Sequence, residues 1–120
     1  MELTLNRFGE PMTEKEWEVY INHSDWRIRK DIAFSETTPL WVLEKMVNDE
    51  DIWVLYALIK NPKTTSKMLD EIMEFALPLN YVYISYGIIR NPKSSEDAVI
   101  KKYAYDKLKD HLRNRHTQGS

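Results

Sequence analysis

Val54-Leu55-Tyr56-Ala57-Leu58-Ile59-Lys60-Asn61-Pro62-Lys63-Thr64-Thr65 returns without a gap, thirty residues on, as Ile84-Ser85-Tyr86-Gly87-Ile88-Ile89-Arg90-Asn91-Pro92-Lys93-Ser94-Ser95. Self-similarity at such a period is the mark of small supersecondary units that bury their apolar faces by stacking on one another. A more divergent copy, Ile28-Arg29-Lys30-Asp31-Ile32-Ala33-Phe34-Ser35-Glu36-Thr37-Thr38-Pro39, lies twenty-six residues before the first. Three units therefore account for most of the 120 residues.

The recurring letters carry physical punctuation. Pro62 and Pro92 push Asn61 and Asn91 out of helical geometry and offer no backbone donor, so a helix is expected to stop there. Thr38, Thr64 and Ser94 follow as expected N-caps, whose hydroxyls accept from free amides of the next first turn, and Pro39 suits a first helical position. After each cap comes an apolar pattern at helical spacing: Leu40, Leu43, Met46 and Val47, then Met68, Leu69, Ile72 and Met73, then Val99, Ile100, Tyr103 and Ala104. Each unit thus reads as a pair of helices.

Outward from the copies, Thr13-Glu14-Lys15-Glu16 spells a capping box that opens a helix over about residues 14–22. Residues 1–12, with Gly9 and Pro11, read as an extended arm, and Leu3-Thr4-Leu5 is too short to form a sheet. Ile100, Ala104, Leu108 and Leu112 keep a four-residue beat that carries the last helix to about Arg113. The expected organisation is one all-α domain over 1–115: arm 1–12, capping helix 13–23, units at 25–48, 51–75 and 81–115, the last including the C-terminal helix, and a disordered tail at 116–120. Phe75 to Asn80, with Pro78, makes a longer elbow before the third copy.

Composition agrees with a folded helical domain. Hydrophobic residues make up 42% and four Trp are present, enough apolar surface to offset chain entropy. A formal charge of -2 excludes the overall basic excess of a dedicated nucleic-acid binder, so any such contact must be a local patch. The absence of Cys removes disulfides, thiol nucleophiles and iron–sulfur ligands, and suits a reducing cytosol. No apolar run reaches the roughly 20 residues of a membrane helix and the first residues lack a signal-peptide pattern, so a cytoplasmic protein is expected.

The block Val-x-x-Ala-Leu-Ile-x-Asn-Pro-x-Thr followed by an apolar helix, at residues 54–64 and again at 84–94, resembles the leucine-rich repeat variant family. The resemblance covers about residues 25–105 and implies a short right-handed α-solenoid of stacked helix pairs, similar in shape to HEAT-like repeats. The first copy departs from it, with Ser35-Glu36 where the others have Asn-Pro. The iron–sulfur cluster linked to a founding member of that family has no ligands here, since Cys is absent.

Projected at about 100° per residue, the first helix of each pair separates into two sets of side chains. Val54, Leu55, Ala57, Leu58 and Ile59 form an apolar arc, matched by Ile84, Gly87, Ile88 and Ile89. The opposite stripe consists of Arg27, Lys30 and Phe34, then Trp53, Tyr56 and Lys60, then Tyr83, Tyr86 and Arg90, aromatic and basic without a carboxylate. Trp and Tyr of this kind serve either as packing between units or as rigid anchors for a partner. The recurrent Lys and Arg favour an exposed, partner-binding face, because an unpaired buried ammonium is costly. Asp31 occupies the place of Ala57 and Gly87, where a shifted first repeat or a salt bridge to Arg27 or Lys30 is expected and a catalytic acid is the alternative.

Other chemistry is sparse. His23, His111 and His116 lack metal-site spacing, so no metal or cofactor is expected. Asn48-Asp49-Glu50-Asp51 places carboxylates where a helix begins and lacks the alternation of a calcium loop. No glycine-rich phosphate loop or nucleophile elbow occurs. From Lys101 to Arg115, six basic residues face two acidic ones, a local patch able to meet phosphate or simply to complement the helix C-terminus. The expected function is a non-catalytic module that binds another protein through the stripe, as adaptor or as inhibitor of a larger enzyme. The alternative is a nucleic-acid-binding HEAT-like protein, remotely similar to alkylpurine DNA glycosylases.

Overall fold

A computed structural model describes residues 9–118, with side chains as far as Arg113. The described residues form seven helices and no strand: α1 (Glu14–Ile21), α2 (Trp26–Phe34), α3 (Leu40–Glu44), α4 (Ile52–Lys60), α5 (Ser66–Ala76), α6 (Val82–Ile89) and α7 (Glu96–Gln118). The short extended start expected at Leu3-Thr4-Leu5 lies outside the described residues, as do Gly119, Ser120 and the side chain of His116. The α7 backbone runs to Gln118, beyond the Arg113 at which the four-residue beat ends.

α2, α4 and α6, the first helices of the three copies, pack side by side in chain order, with α1 against α2. α5 packs on α6 and α7. The core lies between these rows. Val54, Leu55, Ala57, Leu58 and Ile59 are all buried, as the arc of α4 requires, and Met68, Leu69, Ile72 and Met73 meet them from α5. At roughly 1.5–3 kcal/mol per large side chain, such burial is the main stabilising term. Trp17 ties α1 to the same cluster. Gly87 marks the closest approach, where an added Cβ would stand 2.5 Å from Ile59 Cδ1.

The Asn-Pro-Lys-Thr block owes its recurrence to contacts between copies. Asn61 Nδ2 donates to the carbonyls of Ala33 (2.8 Å) and Ser35 (2.9 Å), so the second copy closes the end of α2 in the first. Asn91 Nδ2 does the same for α4 through Ile59 O at 3.0 Å. In both cases the amide oxygen accepts from the backbone two residues on, Lys63 N and Lys93 N, each at 2.9 Å. The lysines also reach back: Lys63 Nζ donates to Thr38 O at 3.0 Å, and Lys93 Nζ donates to the carbonyls of Pro62 and Thr64.

Two expectations are corrected. Thr38 and Thr64 are not N-caps: their buried hydroxyls donate backward, to Ile32 O at 2.8 Å and Leu58 O at 2.5 Å, closing the helix before rather than opening the one after. The caps fall one residue later. Thr65 accepts from Met68 N, and Ser95, rather than Ser94, accepts from Ala98 N at 3.0 Å. α3 starts after Pro39 with no side-chain cap. The inward face of α7 is also displaced. Ala98 and Lys102 are buried and Tyr105 packs against the core, whereas Ile100, Tyr103, Leu108 and Leu112 are exposed.

The capping box at Thr13 forms, with Glu16 N donating to Thr13 Oγ1 and Thr13 N to Glu16 Oε1, both at 3.2 Å. The elbow before α6 is a continuation of α5 through four turn residues, closed by Asn80 at φ 58. Tyr81 N then donates to Ala76 O at 2.9 Å, which satisfies a carbonyl of the last turn of α5.

Candidate functional site

The stripe follows from the stacking of α2, α4 and α6. Their apolar arcs turn into the core, so the positions on the opposite face of each helix, themselves three and four residues apart, turn out. Eight of the nine stripe residues are exposed and Lys30 is half-buried. Tyr56 and Tyr86, the two that would have been core in the packing alternative, retain 37% and 41% of their surface. Tyr83 is the most open at 76%.

Within each helix the stripe is organised into aromatic–cation pairs one turn apart. Lys30 Nζ stands 5.7 Å from the ring of Trp26, Lys60 Nζ 5.4 Å from Tyr56, and the Arg90 guanidinium 5.8 Å from Tyr86. The charge lies on the negative ring face, and the aromatic is held at fixed tilt. Trp53 and Tyr56 meet edge to face at 6.4 Å. Lys102 of α7 approaches the Tyr86 ring at 4.5 Å while its ammonium holds Asp106 Oδ1 at 3.0 Å. Tyr86 is therefore contacted by two cations, whereas Lys60 is the one cation over Tyr56 among the described residues.

Between the helices the stripe opens into two clefts. One, of about 290 Å3 between α2 and α4, is lined by Lys30, Asp31, Phe34, Trp53, Tyr56, Ala57 and Lys60. The other, of about 200 Å3 between α4 and α6, is lined by Ile59, Lys60, Gly87, Arg90, Asn91 and Pro92. The first combines three aromatic rings with Lys30, Lys60 and Asp31, and the second has Lys60 and Arg90 without an aromatic ring or a carboxylate. Lys30, Lys60 and Arg90 have no carboxylate partner among the described residues.

Asp31 is placed otherwise than expected. It is exposed in the first cleft and pairs with neither Arg27 nor Lys30. Arg27 turns instead to the α2 N-cap, with Nη2 3.1 Å from Asp25 Oδ2, and Arg27 N also donates to Asp25 Oδ1 at 3.0 Å. Hydrogen bonding from Arg27 holds the Asp25 carboxyl below its ordinary 3.8, and the same contact raises the guanidinium. The stripe surface thus includes one carboxylate, Asp31, free of ion pairs among the described residues.

Three features were missed in the sequence. Trp26 belongs to the stripe, and its i, i+4 spacing to Lys30, the same as Tyr56 to Lys60 and Tyr86 to Arg90, was the available signal. Trp41 and Lys45 repeat the pairing at 5.4 Å beside α3. Asp49 does not open α4, which Asp51 does by accepting from Trp53 N at 2.8 Å. Asp49 grips Arg29 through two bonds of 2.9 and 3.2 Å, with Arg29 Nη1 also donating to His23 O at 2.6 Å. Hydrogen bonding to Asp49 raises the Arg29 guanidinium above its ordinary value. Little about the pair is visible in a linear chain, since its partners stand 20 positions apart.

The C-terminal basic run is partly neutralised. Lys101 pairs with Asp97, Lys102 with Asp106 and Arg113 with Asp110, while Lys109 donates to Asn80 Oδ1 at 2.9 Å. No helix among the described residues is long and apolar enough to cross a membrane. No protein-family model matches the chain, and comparison with curated proteins and with solved structures likewise finds no significant match.

Proposed function

We propose that the chain is a non-catalytic protein-binding module, a short right-handed α-solenoid of the leucine-rich repeat variant type, that engages its partner through the stripe. The observation that carries this is the exposed aromatic–cation pair repeated on successive helices as Trp26/Lys30, Tyr56/Lys60 and Tyr86/Arg90. Aromatic and Arg side chains are the types that dominate binding hot spots, and held by their neighbours they lose little entropy on docking. An adaptor and an inhibitor of a larger enzyme would use such a face alike. The test is affinity capture from native lysate with and without nuclease, using Tyr56→Ala as the control. A protein retained after nuclease and lost with Tyr56→Ala supports the proposal.

A nucleic-acid ligand is the second reading, favoured by one feature: Asp31 stands among Phe34, Trp53 and Tyr56 in a cleft flanked by lysines. Rings that stack on a base, cations for phosphate and an acid nearby are what a base-extruding protein requires. A steep fall of affinity for a labelled duplex between 50 and 200 mM salt would favour it, since released counterions set that slope.

A further inference from the structure

We infer that the two clefts of the stripe read a short segment of polyproline-II type in which an aromatic side chain and a carboxylate stand three residues apart. The inference rests on the protein-binding reading of the stripe and adds the chemistry of the partner.

The chemistry of the first site comes from its walls. Phe34, Trp53, Tyr56 and Ala57 present ring and methyl surface in a cleft of about 290 Å3, room for one flat side chain. Asp31 lines the same space without an ion-pair partner among the described residues. Lys30 and Lys60 line the cleft as well, but neither is within ion-pair distance of Asp31, so a purely apolar guest would desolvate that carboxylate without supplying a donor, which is costly. A Trp or Tyr guest stacks on the rings and gives Asp31 an N–H or O–H donor.

The second site shares Lys60 with the first but is lined by neither an aromatic ring nor a carboxylate. Lys60 and Arg90 line it from the two adjacent helices, each turned over its own ring and neither paired to a carboxylate among the described residues. Two unpaired cations across a cleft select an anion, and a carboxylate reaches both.

The spacing follows from helix packing. Adjacent packed helices lie about 8–10 Å apart, so neighbouring inter-helix clefts repeat at about that distance. A polyproline-II segment advances ~3.1 Å per residue with three residues per turn, which brings residues i and i+3 to one side about 9 Å apart. A β-strand puts i and i+3 on opposite sides. A helical guest would need i and i+7 to cover the same gap at ~1.5 Å per residue. Ring-lined surface grooves take the polyproline-II form at low ordering cost.

The experiment is selection of a random-peptide display library on the full chain, on Arg90→Glu and on Tyr56→Ala, with far-ultraviolet circular dichroism to verify that each variant is folded. Enrichment on the wild type of peptides with Trp or Tyr three positions from Asp or Glu is expected. Arg90→Glu is expected to weaken those peptides by about tenfold and to shift the selected charge toward Lys or Arg. Asp31→Leu, selected in the same way, removes the acceptor and should favour peptides with Phe in place of Trp or Tyr. Enrichment at a spacing of seven, or of peptides indifferent to Arg90→Glu but lost with Tyr56→Ala, overturns the assignment while leaving the stripe as the binding face. Peptides indifferent to every variant, or no enrichment, overturn the assignment as well. The nuclease-controlled capture then decides separately whether the stripe binds protein.

Discussion

Asn61 donates its side-chain amide to the carbonyl of Ala33 at 2.8 Å, joining residues 28 positions apart. The amide is buried, and its second hydrogen is spent on Ser35 O. Asn61→Ala would strand the Ala33 carbonyl and the Lys63 amide, while Ser35 O keeps the donor Thr38 N, a loss of about 2 kcal/mol. Asn61→Asp should be at least as harmful, since it turns a carboxylate toward the same carbonyls. Asn91 is half-buried and holds one carbonyl of the preceding helix, so Asn91→Ala should cost about 1 kcal/mol. Urea melts of the three variants check the order.

The register of the caps predicts a second ranking. Thr64→Val keeps shape but removes one of the two donors to Leu58 O, which keeps Asn61 N, at about 1 kcal/mol, and Thr65→Ala removes the α5 cap, also at about 1 kcal/mol. Ser94→Ala should lie within about 0.5 kcal/mol of wild type, as befits a position whose neighbour Ser95 serves as the cap. Equal losses at Ser94 and Ser95 in denaturant melts would restore the earlier register.

These cases locate where the sequence was legible. Pro62 and Pro92 mark helix ends by chain-local sterics, and the capping box at Thr13 and Glu16 is equally local, so both could be read directly. Thr64 and Thr65 differ only in whether the hydroxyl looks back or forward, which the burial of Thr64 under the neighbouring copy decides. Likewise the face of α7 is set by α5 and α6, which admit Ala98 and Lys102 and leave Ile100 and Leu108 in solvent. The outward placement of the stripe residues was legible because their positions oppose a continuous apolar arc. The salt bridge expected for Asp31 does not form because Arg27 is engaged by the N-cap Asp25 and Lys30 lies over Trp26.

Arg29 and Asp49 have side chains 11% and 7% exposed, so the pair is largely withdrawn from water. Breaking it with Arg29→Ala should cost about 3 kcal/mol, most of it from the carboxylate left behind. The double change Arg29→Met with Asp49→Leu should recover most of that loss, because no charge remains to be desolvated. A double-mutant cycle by thermal melting measures the coupling, and additive single effects would contradict it.

Asp25 supplies the pH prediction. Its folded carboxyl titrates below 3.8 because Arg27 bonds the charged form, so the contribution is complete above the unfolded value and disappears as pH falls through the folded one. The pair is solvent-exposed, so salt screens it and the effect on overall stability is small. The site-specific signal is the better measure: a carbon-detected titration of Asp25 should show a midpoint below 3.8 that moves toward 3.8 in Arg27→Ala.

Tyr56 and Tyr86 hold the same place in successive copies, yet their replacement should not have equal consequences. Tyr56 meets Trp53 and Lys60, both exposed, so Tyr56→Ala should leave helical content intact and shift stability by less than about 1 kcal/mol while weakening a partner by about 2 kcal/mol. Tyr86 also lies against Lys102, whose side chain is only 5% exposed. Tyr86→Ala removes that ring from a buried ammonium and opens it to the side opposite Asp106, at a further cost of about 1–2 kcal/mol. Tyr86→Phe keeps the ring face and should restore nearly all of it. Melting temperatures of the three variants, read beside their affinity for the captured partner, separate the anchor that only binds from the one that also holds α7 to α6.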